Sequence, residues 1–134
     1  MTETERMKQG SIWEDDDENI ALQAKCKTLV RKFNELPPEA MEEREALLHD
    51  IFGEVGEHVW FNLTVTVGKY VSIGSGTYAN MNLTLIDDWK ITIGKNVLIG
   101  PNVTLCTTGH PIHPSHRMDG MYSFPITIGD NVWL

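Results

Sequence analysis

Three histidines and a cysteine lie close together in one stretch of the chain, residues 106–125, and both types of side chain can catalyse or bind a metal. The histidines are His110, His113 and His116, and Cys106 stands at the start. Taken alone, these residues allow four interpretations. His110 acts as a general base, the histidines bind zinc, Cys106 and His110 form a nucleophilic pair, or the stretch packs against a neighbouring subunit.

The immediate sequence context favours some of these interpretations over others. Pro111 and Pro114 stand between the histidines and prevent them from sharing one face of a helix, which disfavours a preformed zinc site. Cys106 follows Leu105 where a corner of the chain is expected, so the thiol has a structural explanation. His110 remains the candidate base because imidazole titrates near neutral pH.

The stretch interrupts a repeat of six residues. Aliphatic residues come in pairs two apart, successive pairs step by six, and a glycine follows the second member of five pairs. The pairs are Val65/Val67, Val71/Ile73, Leu83/Leu85, Ile91/Ile93, Val97/Ile99, Val103/Leu105, Ile126/Ile128 and Val132/Leu134, with Thr77/Ala79 as a weaker ninth. Only two steps are longer, one across Asp87–Lys90 and one across 106–125.

This spacing predicts a solenoid. A period of two indicates a short strand with one buried face, and a glycine after it supplies the backbone freedom that a tight corner needs. A unit of six residues cannot bury its own face, so it must stack on copies of itself as a parallel β-helix. Three strands per turn give about three coils. The extra residues are expected to form loops, with Asp87–Lys90 at a different corner from 106–125.

The first part of the chain has a different composition. Residues 1–57 hold 7 Lys/Arg and 15 Asp/Glu, a net charge of −8, whereas residues 58–134 hold 4 of each. Apolar residues at helical spacing predict three helices, and we expect a boundary between a helical segment, 1–57, and a β-helix, 58–134. The expected helices are Met1–Gln9, Asn19–Asn34 and Glu39–Phe52. The acidic run Asp15–Asp17 either binds an acceptor or caps a helix.

Composition also argues against several classes of partner. The acidic charge disfavours binding to a phosphate backbone, and no apolar run reaches the roughly 18 to 20 residues that span a bilayer. The start of the chain lacks the features of a secretion signal, and two cysteines are too few for a disulfide framework. We therefore expect a cytoplasmic protein that binds neither nucleic acid nor membranes.

A series of motifs resembles the galactoside and maltose O-acetyltransferases, which are hexapeptide-repeat acyltransferases. The motifs agree with that family in order and spacing, and the resemblance covers nearly the whole chain. They are Tyr78-Ala79-Asn80-Met81-Asn82, Ile86-Asp87-Asp88, Ile99-Gly100-Pro101-Asn102-Val103, Thr108-Gly109-His110-Pro111, Met121-Tyr122-Ser123-Phe124-Pro125-Ile126 and Ile128-Gly129-Asp130-Asn131-Val132-Trp133.

The resemblance implies a mainly β fold, a left-handed parallel β-helix preceded by an N-terminal α-helical segment. It also implies a homotrimer with active sites between subunits, acetyl-CoA as donor, a sugar hydroxyl as acceptor and no metal. His110 would be the general base in direct transfer. By the same match, Asp15, Asn80 and Asp88 would contact the sugar, Tyr78, Met121 and Tyr122 would line its pocket, and Trp133 would lie near CoA.

Family members continue beyond the position of Leu134, and the resemblance places their oxyanion donor and much of their CoA site there. We therefore expect a C-terminally truncated acetyltransferase that keeps the fold and the acceptor half of the site. Two other functions stay open. One is a zinc enzyme of the γ-carbonic-anhydrase type on the same fold, which the crowding of the histidines in one loop disfavours. The other is a trimerising module without activity.

Overall fold

The computed structural model describes residues 1–61 and 63–134, and it begins with three helices. Their bounds differ from the expected ones by one to two residues at each end. They are α1 (Glu3–Lys8), α2 (Asp17–Glu35) and α3 (Met41–Ile51). No helix among the described residues is long and apolar enough to cross a membrane.

Short-range hydrogen bonds explain where these helices begin and end. Thr2 and Glu5 form a capping box at the start of α1, and Gly10, with a φ of +72°, follows its end. At α2 the Asp16 carboxylate accepts the backbone N–H of Asn19 at 2.9 Å. One member of the acidic run is therefore a helix cap.

Eleven short strands follow among the described residues, most of them in three parallel sheets. Sheet one has the order β1 (Glu54–Val55), β3 (Val71–Ile73), β6 (Ile91–Ile93), β11 (Ile126–Ile128). Sheet two pairs β4 (Tyr78–Ala79) with β7 (Leu98–Ile99), and sheet three has the order β2 (Leu63–Val65), β5 (Leu83–Ile86), β8 (Thr104–Cys106). A separate antiparallel pair joins β9 (Thr108–Gly109) to β10 (Tyr122–Ser123).

The order of the strands describes a three-sided winding. The chain passes through sheets one, two and three as β3, β4 and β5, and then again as β6, β7 and β8. Paired residues are 20 positions apart in most strand pairs, as in Val71 with Ile91, Tyr78 with Leu98 and Leu83 with Leu63. Such a turn contains three steps of about six residues and two additional residues. The pairs of β1 with β3 are 18 positions apart, and those of β6 with β11, across the long loop, are 35 apart.

Most members of the aliphatic pairs point into the winding and form its core, whereas Leu134 is 38% exposed. Val71, Leu83, Leu85, Ile91 and Val97 are fully buried. Helices α2 and α3 contribute further buried side chains to the same cluster: Cys26, Val30, Phe33, Leu48 and Ile51. Because β1 already pairs with β3, the strands begin at residue 54, within the segment expected to be helical.

Two details of the predicted repeat are wrong. Strand β2 places Leu63 and Val65 opposite Leu83 and Leu85, so the equivalent pair is Leu63/Val65 and not Val65/Val67, although Val67 is buried as well. Both longer steps also lie at the same corner. Strand β5 leads into residues 87–90 and then β6, β8 leads into 107–125 and then β11, and these strands are neighbours in their sheets. We call this edge, where sheet three passes to sheet one, the loop corner.

Candidate active site

His110 lies on the long loop at the loop corner, immediately after β9. It lines an open cleft of about 650 Å³ together with Ile12, Pro111, His113, His116, Tyr122 and Phe124. The antiparallel pairing of β9 with β10 brings Tyr122 opposite Gly109, next to the histidine. The loop is therefore a folded hairpin that holds His110 at an accessible place.

One hydrogen bond selects the tautomer of His110. Its Nδ1 lies 3.2 Å from the carbonyl oxygen of Gly120. A carbonyl oxygen only accepts, so Nδ1 carries the proton in the neutral ring and Nε2 keeps its lone pair. An imidazole in this state can accept a proton from a substrate through Nε2.

Asp88 is a buried carboxyl group beside this loop, with 9% of its surface exposed. Burial raises its pKa, a hydrogen bond from the side chain of Thr108 lowers it, and the negative charge of Asp15 raises it again. Asp15 itself is exposed, and its Oδ1 accepts the side-chain N–H of Gln23 at 3.0 Å. Asp15 is two residues after Trp13, whose backbone is hydrogen-bonded to Met121 of the long loop, so this part of the chain also lies at the loop corner.

The hairpin is anchored to the segment between α1 and α2. Trp13 exchanges two backbone hydrogen bonds with Met121, of 3.1 and 2.9 Å. The structure therefore brings five of the predicted site residues to the loop corner: Asp15, Asp88, His110, Met121 and Tyr122.

The other three predicted site residues lie elsewhere. Tyr78 is 40% exposed between two fully buried neighbours, so it points outward from sheet two. Asn80 follows it directly, and Trp133 is bridged to Leu98 at the end of the same sheet. In a three-sided winding, sheet two is the side opposite the edge shared by the other two sheets. Within one chain these residues thus face away from His110.

Sheet two carries a line of exposed apolar side chains, which we call the outer stripe. Parallel pairing places Trp60 beside Tyr78, Tyr78 beside Leu98 and Leu98 beside Trp133. Their exposed fractions are 36%, 40%, 53% and 83% in that order. A continuous apolar patch of this kind is typical of a surface that another molecule covers.

Sequence reasoning did not give a role to Asp87, which is completely buried beside Asp88. Its carboxylate accepts the backbone N–H groups of Thr66 at 3.1 Å, Val67 at 2.9 Å and Gly68 at 2.6 Å. Burial raises the pKa of Asp87 to about 6, against the opposing effect of these bonds. The only sign of this in the sequence is its position in an insertion between aliphatic pairs.

The remaining polar groups of the loop have separate partners. His113 Nδ1 lies 2.7 Å from the Ser115 hydroxyl, and His116 Nδ1 lies 2.8 Å from Asp119. The Cys106 thiol is 3.1 Å from the carbonyl oxygen of Thr108. In the part of the chain that the structure describes, no three or more His, Cys, Asp or Glu side chains are grouped so that they could hold a metal ion.

Comparison with known proteins shows that the chain is similar to acetyltransferases. Residues 6–56 match the family model of the maltose acetyltransferase hexapeptide capping motif. Galactoside O-acetyltransferase from Escherichia coli (strain K12) is 47% identical over 138 residues, an alignment that covers 100% of this chain and 68% of that protein.

Two solved structures are also similar. A galactoside acetyltransferase in complex with coenzyme A superposes with a TM-score of 0.95 at 46% identity, covering 99% of this chain and 68% of the other. A hexapeptide-repeat acetyltransferase from Vibrio cholerae, complexed with acetyl coenzyme A, gives a TM-score of 0.86 at 34% identity, covering 99% and 74%.

The fold and these matches define the class of protein: an acyltransferase of the hexapeptide-repeat type. More particularly, the chain belongs to the galactoside and maltose O-acetyltransferase family, whose members are acetyl-CoA-dependent sugar O-acetyltransferases.

Proposed function

We propose that this protein transfers an acetyl group from acetyl-CoA to a hydroxyl group of a sugar, with His110 as the general base. The observation that carries the proposal is the hydrogen bond from His110 Nδ1 to Gly120. Since this bond leaves Nε2 unprotonated beside an open cleft, the ring is prepared to accept the proton of a bound hydroxyl group.

The transfer is a direct attack. As the sugar oxygen forms a bond to the thioester carbonyl carbon, His110 Nε2 takes the hydroxyl proton. The carbon–sulfur bond then breaks, and the imidazolium returns its proton to the departing thiolate, which leaves as the CoA thiol. Such assistance is typically worth about 10² to 10⁴ in rate, because a neutral sugar hydroxyl is a weak nucleophile.

Two carboxylates hold the sugar on the side of His110. Asp88 and Asp15 can each accept hydrogen bonds from sugar hydroxyl groups, and Met121 and Tyr122 form the adjoining wall. Bonds from hydroxyl groups to charged acceptors are stronger than bonds between neutral groups. These contacts supply orientation, which contributes to rate by replacing an encounter in solution with a bound geometry.

A second subunit completes the site. Tyr78 and Asn80 are proposed to contact the same sugar, yet sheet two faces away from the loop corner of its own chain. If sheet two of one copy packs against the loop corner of the next, both sets meet in one cleft. A contact between two different surfaces closes into a ring when the rotation allows it, and we propose three copies.

The outer stripe supports this assembly, since it supplies an apolar surface for the contact. The winding itself is inferred to be a left-handed parallel β-helix, an exception to the usual right-handed crossover. The proposed donor follows from the relatives that are described as complexes with coenzyme A and acetyl coenzyme A. At the exposed end of the stripe, Trp133 is proposed to lie against the CoA.

Acetylation of galactosides, maltose and glucose by the purified chain, followed by mass spectrometry with acetyl-CoA as donor, tests the proposal. His110→Ala is expected to lower kcat by about two orders of magnitude or more, since only the proton acceptor is lost. His49→Ala, an exposed histidine on α3, is the matched control. Equal turnover by the wild-type and His110→Ala proteins would contradict the role of His110.

A further inference from the structure

Thr107 is a buried residue at the start of the long loop, and its hydroxyl group is hydrogen-bonded to the turn that carries Asp88. The residue is 5% exposed. Its Oγ1 donates to the carbonyl oxygen of Ile86 at 2.8 Å and accepts the backbone N–H of Trp89 at 3.2 Å. One hydroxyl group thus holds the residue before Asp87-Asp88 and the residue after it.

The backbone of Thr107 joins the same turn to the hairpin that carries His110. Its N–H group donates to the carbonyl oxygen of Ile86 at 3.0 Å, and its carbonyl oxygen accepts the N–H group of Phe124 at 2.9 Å. Strand β9 begins at the next residue and ends at Gly109, directly before His110. Thr107 therefore connects the turn that carries one proposed acceptor contact to the strand that leads to the proposed base.

The hairpin is a fixed reference for this turn. Besides the backbone pairing of β9 with β10, the hydroxyl oxygens of Thr108 and Ser123 lie 2.8 Å apart. The Ser123 hydroxyl also accepts the indole N–H of Trp13 at 3.0 Å, and Ser123 and Trp13 are 1% and 2% exposed. Buried side chains thus fasten the hairpin to the N-terminal segment.

A second anchor holds the turn to the preceding coil. The carboxylate of Asp87 accepts the backbone N–H groups of residues 66–68, as described above. Asp87 therefore fixes the turn to the coil before it, whereas Thr107 fixes it to the hairpin after it. Because the first anchor remains when the Thr107 hydroxyl group is removed, we expect the turn to shift relative to the hairpin without unfolding.

The same pair of hydrogen bonds occurs at a different corner of the winding. The Thr77 hydroxyl group donates to the carbonyl oxygen of Gly94 at 2.7 Å and accepts the N–H group of Val97 at 3.2 Å. In both cases the carbonyl and the N–H group come from residues three positions apart. The bond pair by itself is therefore a way to close a corner. Thr107 differs in what it joins, which is the turn with Asp88 and the strand before His110.

We propose that Thr107 is a positioning residue, whose hydroxyl group fixes the Asp88 turn to the His110 hairpin and thereby sets which hydroxyl group of a bound sugar faces the base. The roles of Asp88 and His110 in this inference rest on the proposed function. A carboxylate that holds particular sugar hydroxyl groups determines, by its position relative to His110, which other hydroxyl group can lose its proton. Only the hydroxyl group depends on the residue type, because every amino acid except proline supplies the two backbone bonds.

The positions at which the full chain acetylates methyl β-galactoside and maltose test this inference. With ¹³C-acetyl-CoA as donor, nuclear magnetic resonance at early times gives the ratio of positional isomers before acetyl groups migrate. Thr107→Val keeps the shape of the side chain and removes the hydroxyl group. It should raise the fraction of minor isomers severalfold and lower kcat/KM for the sugar about tenfold or more, with the KM for acetyl-CoA unchanged. Thr107→Ser keeps the hydroxyl group and should restore the wild-type ratio.

Two control variants separate positioning from a loss of stability. Thr28→Val removes a hydroxyl group that donates to the carbonyl oxygen of Ala24 at 3.1 Å on α2. Leu48→Ala removes a side chain from the helical part of the core and should lower the melting temperature. Both should leave the isomer ratio unchanged. If Thr107→Val does not fold, Thr107→Ala removes the same hydroxyl group. A wild-type ratio in the folded variant that lacks the hydroxyl group, or an equal change in Leu48→Ala, would overturn the proposal.

Amide hydrogen exchange tests the restraint on the turn without any reaction. In Thr107→Val the N–H group of Trp89 loses its acceptor and should exchange about fivefold faster, whereas in Thr107→Ser it should not. The N–H group of Phe124 is the internal reference, because its acceptor is a backbone carbonyl that stays in place. If the wild-type chain acetylates no sugar, the proposed function fails, and the exchange of Trp89 still decides whether Thr107 fixes the turn. Equal exchange of Trp89 in the wild type and in folded Thr107→Val would overturn that role.

Discussion

Tyr78 and Asp88 lie on opposite sides of one chain, although only ten positions separate them in the sequence. Tyr78 points outward from sheet two, whereas Asp88 lies at the loop corner between the other two sheets. Both are proposed to contact the same sugar molecule. This relationship requires the two contacts to come from different subunits, and it can be tested by mixing variants.

Two inactive variants should complement each other in mixed oligomers. We expect Asn80→Ala and His110→Ala each to lose activity, and a mixture unfolded and refolded together at equal amounts to regain about one quarter of the wild-type kcat. A shared site is intact only when the subunit that supplies His110 is the Asn80→Ala variant and the subunit that supplies Asn80 is the His110→Ala variant. Each condition has a probability of about one half, which gives about one quarter. Activity is measured by acetyl transfer. Recovery is absent if each site is contained within one subunit.

The outer stripe should be necessary for assembly. Leu98→Glu places a charge in the middle of this apolar surface, and burying that charge in an interface without a partner is costly. We expect the protein to sediment as a monomer in analytical ultracentrifugation, with its circular dichroism spectrum preserved. Ile20→Glu, a substitution at an exposed apolar residue of α2, is the control and should leave the sedimentation coefficient unchanged.

Asp87 should make the free energy of unfolding decrease as the pH rises from about 4 to 6. Its folded-state pKa of about 6 lies above the ordinary value of 3.8, so the folded protein binds the proton more tightly than the unfolded chain. The stabilisation by protonated Asp87 is complete below pH 4 and is lost as the pH rises to about 6. The loss amounts to about 3 kcal/mol, at 1.36 kcal/mol per pKa unit.

Urea unfolding of wild-type and Asp87→Asn proteins between pH 4 and 7 measures this contribution. The free energy of unfolding of the wild type should fall relative to that of the variant across this range. In Asp130→Asn, which removes a carboxylate that accepts the Lys95 N–H at 2.7 Å from an exposed position, the dependence should persist. A constant difference between wild type and Asp87→Asn would show that Asp87 does not change its charge here.

Gly68 should tolerate no side chain. It has a φ of +82°, and a Cβ atom there would collide with the carbonyl oxygen of Ile51 at the end of α3. We expect Gly68→Ala to lower the free energy of unfolding by about 2 to 3 kcal/mol. The substitution strains a backbone with positive φ and also makes the new Cβ atom overlap with the Ile51 carbonyl oxygen. Gly129→Ala, where the same atom meets open space, should change it by less than about 0.5 kcal/mol in thermal unfolding.

Much of the fold could be predicted because its signal is local. Residues two apart on a strand share a face. Pairs such as Val71/Ile73 and Ile91/Ile93 therefore identify the buried face of their strand without information from the rest of the chain. A repeat of six then requires neighbours to stack. The cap of α2 is equally local, since Asp16 belongs to the acidic run and its carboxylate accepts a backbone N–H only three residues away.

The two wrong predictions concern which strands lie beside each other in successive turns of the winding. A step of six from Val65 to Val71 looks like a repeat. The pairing of β2 with β5 shows, however, that Leu63 is the residue equivalent to Leu83. The prediction that Asp87–Lys90 and the long loop lie at different corners is wrong for the same reason. Nothing local distinguishes one corner from another, because only hydrogen bonds between residues 20 positions apart identify which sides adjoin.

In the candidate site, too, the sequence predicts one part and only the tertiary structure shows the other. The sequence alone supplies the chemical groups, the family that they resemble and the hypothesis that His110 is the base, because these depend on residue types in a fixed order. Only the tertiary structure decided that Tyr78 faces away from His110, that Asp87 is buried and that Trp13 reaches Ser123, 110 positions away. These relationships depend on how three sheets close around one core, which brings together or separates residues regardless of their distance along the chain.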